Sequence, residues 1–174
     1  MPGHATHDKI ANVAVLAIAP LSFATLRLLG DDPTAAYTGT LIMVGAHLFG
    51  SWLLSPDLDL DSAVDDRWGP LRFIWVPYMK LIPHRSFFSH SGFSAVLRLL
   101  YLYAAIMIVL LILGGLPSLF GIATIPYHLL FFDWLWGTVR DTTRPAILIV
   151  VGVVMSDLVH VLADQLIRSR RRRR

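Results

Sequence analysis

One stretch of the chain, 56–91, holds most of the side chains able to do chemistry. It opens with Pro56-Asp57-Leu58-Asp59-Leu60-Asp61 and closes with His84-Arg85-Ser86-Phe87-Phe88-Ser89-His90-Ser91. Carboxylates and imidazoles set between long apolar segments are the raw material of a divalent-metal site. After the proline the chain is expected to run extended. Residues i, i+2 and i+4 then point the same way, and Asp57, Asp59 and Asp61 can converge on one ion. His84 and His90 are not one helical turn apart, and are expected to reach the site from either end of a turn. A mixed imidazole and carboxylate set suits zinc first, with manganese or iron as alternatives, rather than calcium, which prefers oxygen cages. The plainer alternative is a solvated acidic loop beside a histidine-bearing turn.

Composition says what must position these groups. Of 174 residues, 55% are hydrophobic and 16% charged, and mean hydropathy is +0.61. That balance excludes an ordinary soluble domain and fits a small polytopic membrane protein. Cysteine is absent, so disulfides and thiolate ligands are excluded and a metal must use His, Asp, backbone or water. All twelve acidic residues are aspartate, so a carboxylate ligand has to be the shorter one. The formal net charge of +3 is concentrated in the basic tail 168–174, where six arginines follow an apolar segment. Such a tail reads as a topology anchor on anionic headgroups, with nucleic acid binding the less favoured reading. No cleavable signal peptide is expected, because a basic n-region is missing and the apolar run after Ile10 is too long.

Four segments, roughly 10–29, 36–54, 96–116 and 145–167, approach the ~20 residues that cross a ~30 Å hydrocarbon core. In lipid such segments must be helices. The predicted fold is therefore all-α: one membrane-embedded domain over 1–174, with about four transmembrane helices plus interfacial segments. Lysine and arginine set its orientation. The connection 30–35 has none, whereas the central loop carries Arg67, Arg72, Lys80 and Arg85, Arg98 starts the next helix, and Lys9 precedes the first. By the positive-inside rule both termini and the central loop of this multi-pass protein are expected to be cytoplasmic. Segment 67–80 is aromatic, basic and twice broken by proline, and is expected in the headgroups with Trp68, Trp75 and Tyr78 as anchors. Segment 119–136 holds Pro126, His128 and Asp133. It is expected to be interfacial or re-entrant, since a fifth span would put the arginine tail outside.

This topology gathers the polar residues at one end. His7 and Asp8 precede the first helix; the PDLDLD run follows the second; His84 and His90 precede the third. Asp157, His160 and Asp164 lie on one face of the last, at i, i+3 and i+7. An ionisable group inside an apolar helix costs several kcal/mol unless paired, which makes Asp157 and His160 functional candidates. His47 lies ~12 Å deeper at 1.5 Å per residue. Asp157 is expected to orient either His47 or a ligand histidine from behind; a backbone carbonyl is the plainer partner for His47. His4 is a weaker ligand candidate than His7. His128 and Asp133 fall at the far side, away from the site.

Thr6-His7-Asp8, Ser55-Pro56-Asp57-Leu58-Asp59, Arg67-Trp68-Gly69-Pro70-Leu71-Arg72, Trp75-Val76-Pro77-Tyr78 and the His84–His90 block resemble an uncharacterised family of bacterial metal-binding membrane proteins. That family is common in cyanobacteria, and the likeness spans nearly the whole chain. More distantly, the order His, PDxD, HR-x-x-SHS, HxxxD is similar to LexA-regulated inner-membrane metal-dependent hydrolases and to the zinc-dependent phospholipase C and nuclease superfamily. In those all-α enzymes His and Asp hold zinc ions that cleave phosphodiesters. The resemblance implies ligand roles for His7, Asp57, His84, His90, His160 and Asp164, with Asp8 and Asp59 as companions. It departs at the N-terminus, where the soluble enzymes use a tryptophan amine and this chain reads Met1-Pro2-Gly3-His4.

The leading expectation is a membrane-embedded metal-dependent hydrolase of phosphoesters or phospholipids, acting among membrane lipids. In it Asp59 or Asp8 bridges ions or serves as general base. Arg85 either clamps a phosphate by bidentate hydrogen bonds or pairs with an aspartate to hold the turn. The alternatives are a non-catalytic metal-binding protein with a structural, sensing or carrier role, and a polar cluster satisfied without metal. Ligands crowded at one face weigh against a carrier, which needs access from both sides.

Overall fold

Each of the four apolar segments is helical. The computed structural model describes residues 4–84, 86–91 and 93–172, and every regular element among them is a helix. In chain order these are α1 (His4–Leu28), α2 (Pro33–Leu53), α3 (Ala63–Asp66), α4 (Val76–Leu81), α5 (Ser94–Leu110), α6 (Leu116–Leu119), α7 (Tyr127–Asp141) and α8 (Thr143–Arg172). Among the described residues, four stretches are long and apolar enough to cross a membrane: Ala5–Leu28, Pro33–Asp59, Ser94–Leu119 and Thr143–Leu166. The tempting fifth is not among them. Residues 122–126 are irregular, and the 15 residues of α7 cover only about 22 Å at 1.5 Å each.

α2 is the central helix, packed on α1 and α8. The register is read from its small residues. Gly39 faces Leu26 and Leu148, and Gly152 nests against Met43, Ala46 and His47. α1 and α2 are therefore antiparallel, and α2 and α8 parallel. A Cβ at Gly152 would lie 2.5 Å from the Met43 carbonyl oxygen, so only glycine lets the two backbones approach this closely, as in membrane helix pairs.

Both ends of α2 are capped. At its start Asp32 accepts from the Thr34 and Ala35 amides at 2.8 and 3.1 Å, with Pro33 in the first turn, a strong N-terminal signal. Beside it Arg144 of α8 pairs with Asp31. At its other end three carbonyls that have no intrahelical donor meet side chains. Arg67 donates to Trp52 O at 2.9 Å, Trp68 to Leu53 O at 2.9 Å and Arg98 to Leu54 O at 2.8 Å.

The central loop differs from expectation in two ways. Pro56–Asp59 is a 3₁₀ turn rather than an extended run, because Ser55 caps it, accepting weakly from the Asp57 amide at 3.4 Å. Trp75 and Tyr78 are not headgroup anchors: both are fully buried against Tyr101, whose hydroxyl donates to Ile74 O at 2.6 Å. This aromatic cluster seats the loop on α5, while Arg72 pairs with Asp61, Asp65 and Asp66.

Beneath the loop lies a fully buried ion pair, Arg98 of α5 with Asp157 of α8. Ser94 donates to the second Asp157 oxygen at 2.7 Å, and Arg98 also reaches Ser89 O and Ser94 Oγ, both at 3.2 Å. Removing one partner would strand the other charge in an apolar interior. Arg98→Met is therefore expected to destabilise the protein by about 3–5 kcal/mol, and Arg98→Met/Asp157→Leu to recover much of that loss. Reversible unfolding in detergent measures both. Equal losses in the single and double variants would mean that the pair carries no such coupling.

Candidate metal centre

Among the described residues, seven donors meet at the end of the bundle where α2 stops. His7 comes from the first turns of α1, Asp57 and Asp59 from the 3₁₀ turn, His84 and His90 from the approach to α5, and His160 and Asp164 from α8. They form three overlapping trios: His7/His160/Asp164, Asp57/His90/His160 and Asp59/His84/His90. Within each trio one donor atom per residue lies within 4.8 Å of the others. Proline and the Ser55 cap turn Asp57 and Asp59 inward. The i, i+4 spacing sets His160 and Asp164 on one face of α8.

The contacts run as a chain. His7 Nε2 lies 3.2 Å from Asp164 Oδ1, and the His7 ring stacks on His160 with centroids 4.0 Å apart. His160 Nε2 is 3.6 Å from Asp57 Oδ1, and His90 Nε2 is 3.9 Å from that same oxygen. His90 Nδ1 lies 3.6 Å from Asp59 Oδ2, and His84 Nδ1 lies 2.9 Å from Asp59 Oδ1. Two hydroxyls back the rings: Ser89 Oγ is 3.0 Å from His90 Nδ1, and Ser55 Oγ is 3.5 Å from His160 Nδ1.

The observation that tests the fit of a cation is a set of orphaned nitrogens. His7 Nδ1, His90 Nε2 and His160 Nε2 are buried with no hydrogen-bond partner among the described residues. A buried polar atom left unpaired costs about 1–3 kcal/mol, and these three, unlike others such as His47 Nδ1 and Ser51 Oγ, are gathered in rings that belong to the His/Asp trios. Imidazole nitrogens facing carboxylates fit a divalent ion. Burial holds the His90 imidazole below its ordinary range, against an upward pull from Asp59 and Asp57. That keeps it neutral near pH 7, the state in which it can ligate. The structure leaves zinc, manganese and iron as open choices.

The remaining expected residues stand elsewhere. Asp61 is exposed on Arg72 and does not join the other two aspartates, because a 3₁₀ turn breaks the i, i+2, i+4 alignment. Asp8 accepts a bidentate pair of bonds from Arg67, at 3.2 and 2.5 Å, and belongs to none of the trios. Asp59 is almost fully buried on the cluster floor, which suits holding an imidazole or an ion better than trading protons with solvent. Asp157 orients neither His47 nor a ligand imidazole, because Arg98 and Ser94 take its two oxygens. His47 instead bonds through Nε2 to Ala11 O at 3.2 Å, tying α2 to α1 below the cluster. Arg85, and the side chains of His4 and of the arginine tail, lie outside the described residues. His128 and Asp133 belong to none of the trios among the described residues.

Arg98 and Ser94 are the residues that sequence reasoning passed over. Arg98 counted only toward topology, yet an arginine just inside one apolar helix and an aspartate inside another are natural partners. That coincidence was the available signal.

Comparison with known proteins agrees with the metal reading. A relative from Aquifex aeolicus (strain VF5), called "Uncharacterized protein", is 29% identical over 121 residues, which cover 68% of this chain and 84% of the relative. No solved structure matches the chain. The family described as "Uncharacterized metal-binding protein (DUF2227)" matches residues 2–174. With that match over nearly its whole length, and a His/Asp cluster fit for a cation at one end of its bundle, the chain belongs to this family of metal-binding proteins.

Proposed function

We propose that the protein is a membrane-embedded, metal-dependent hydrolase that cleaves phosphoesters at headgroup depth on the cytoplasmic face. The observation that carries this reading is the surplus of donors. Seven converge where one closed structural ion takes four, and the cluster's rim is open to solvent at His84 (28% exposed) and Asp164 (21%). His7, Asp57, Asp59, His84, His90, His160 and Asp164 would hold the ion or ions. A divalent metal there supplies Lewis acidity toward a phosphoryl oxygen and a water acidified toward neutrality. The chain's own part is to orient the imidazoles through Ser55, Ser89 and Asp59, to keep His90 neutral, and to close the inner side against water with the Arg98 clamp. A substrate phosphate would approach at the exposed rim, past His84 and Asp164.

Placement supports the substrate class. The cluster sits at the end of helices apolar enough to span, so an amphiphile held in a leaflet would present its phosphate at that level. The cytoplasmic assignment rests on the lysines and arginines at this end, against only Arg27, Arg140 and Arg144 for the other, where the connection 30–35 carries none. Because the chain has no cysteine, single cysteines report the topology directly. Leu29→Cys and Leu81→Cys place the thiol at sites 74% and 73% exposed, at opposite ends. In intact spheroplasts a membrane-impermeant maleimide is expected to label position 29 at once, and position 81 only after lysis. The reverse pattern would invert the orientation.

Elemental analysis of the purified protein tests the centre itself. Wild type is expected to carry at least one equivalent of zinc, manganese or iron, and metal content is expected to fall in both His84→Ala and His160→Ala. Turnover of bis(p-nitrophenyl) phosphate or of phospholipid vesicles should vanish with chelator and return with metal. A protein that takes up no transition metal after reconstitution would end the reading. Full metal loading without phosphoester turnover would leave a non-catalytic centre.

A further inference from the structure

We infer that the cluster is divided into two adjacent metal positions with Asp57 shared between them. This rests on the metal-centre reading above and adds the number of ions and the residues belonging to each.

The trios fall into a pattern that one site would not produce. Asp59/His84/His90 and His7/His160/Asp164 have no member in common. The third, Asp57/His90/His160, draws one imidazole from each and adds Asp57. Asp57 is thus the residue that links two otherwise complete sets. Its Oδ1 lies 3.6 Å from His160 Nε2 and 3.9 Å from His90 Nε2. Those are two of the three orphaned nitrogens of the cluster, one in each set. His160, 93% buried, points its free nitrogen at this oxygen.

The sets are also built by different parts of the fold. The first comes wholly from the central loop and the approach to α5, the second wholly from α1 and α8. Ring spacing follows that division. His7 and His160 stand 4.0 Å apart and His84 and His90 5.3 Å, whereas His90 and His160, across the boundary, are 5.9 Å apart. Three donors from one set and a shared carboxylate give each ion four protein ligands. Zinc that expands to five ligands, or manganese that takes six, keeps room for a substrate oxygen.

The test uses the full chain in detergent, stripped by chelator and reloaded with Mn²⁺, read by elemental analysis and electron paramagnetic resonance. Wild type is expected to hold two equivalents and to show an exchange-coupled signal. His7→Ala and His84→Ala are each expected to keep one equivalent, with the signal of an isolated ion. Asp57→Asn should weaken the coupling without abolishing binding. Circular dichroism and gel filtration qualify each variant as folded; should one fail, wild-type stoichiometry and coupling decide alone. One equivalent in wild type, lost entirely in either histidine variant, would overturn the division while leaving a metal centre. Two equivalents with only isolated-ion signals would overturn the shared Asp57. No binding at all would remove both this inference and the reading beneath it.

Discussion

The buried Arg98–Asp157 pair sets the geometry on which the rest depends. Three of the groups that Arg98 touches are near neighbours of cluster donors. Leu54 O lies three residues before Asp57, Ser89 O one residue before His90, and Asp157 one helical turn before His160. A guanidinium has five donors in a rigid fork, and here the fork measures out the positions of α2, the turn and α8 relative to one another. The cost of burying two charges is offset by the number of hydrogen bonds the pair collects. Geometric definition is what the arrangement gains.

The bundle explains why the donors sit at an end rather than in its middle. α2 and α8 touch through Gly152 and Gly50 at distances that exclude larger residues, so the middle of the bundle is packed backbone to backbone. Polar side chains there need a partner on the spot. His47 finds one in the Ala11 carbonyl, and Thr40 finds one in its own helix, donating to Ala36 O at 2.8 Å. The four imidazoles and three carboxylates of the cluster find their partners mainly in one another. They collect where α2 ends, its carbonyls need side-chain donors, and the chain is free to turn.

Much of this was legible in the sequence because it depends on period and composition. The four long apolar runs, the i, i+4 placement of His160 and Asp164, and the pairing of a PDLD turn with two later histidines follow from helix geometry and from the cost of charge in apolar surroundings. What was not legible depends on competition among equivalent partners. Asp8 could face the cluster or a basic residue, and Arg67, busy capping α2, takes it. Asp157 could face an imidazole or a cation, and Arg98 is both nearer and stronger. Trp75 and Tyr78 match an interfacial belt by type. Only the docking of the loop on α5 shows that their rings fill the core. Pattern identifies groups that need partners, and tertiary structure decides which partner each one gets.

The same competition bears on how metal and fold depend on each other. α1 holds the cluster end of the bundle through polar contacts: His7 to Asp164, Asp8 to Arg67, and His47 to Ala11 lower down. The first of these joins two candidate donors of the cluster, and His7 Nδ1, with no partner among the described residues, lies in the same ring. An ion held by donors from α1, the central loop and α8 can bind only when the three are docked, so its binding free energy is also docking free energy. Arg98 works differently. It joins α2, the turn, α5 and α8 without α1, and needs no cation to do so. The scaffold of the loop and α8 is therefore set by an ion pair that needs no cation, while an ion bound across α1 and α8 would add to the hold of α1 on the cluster.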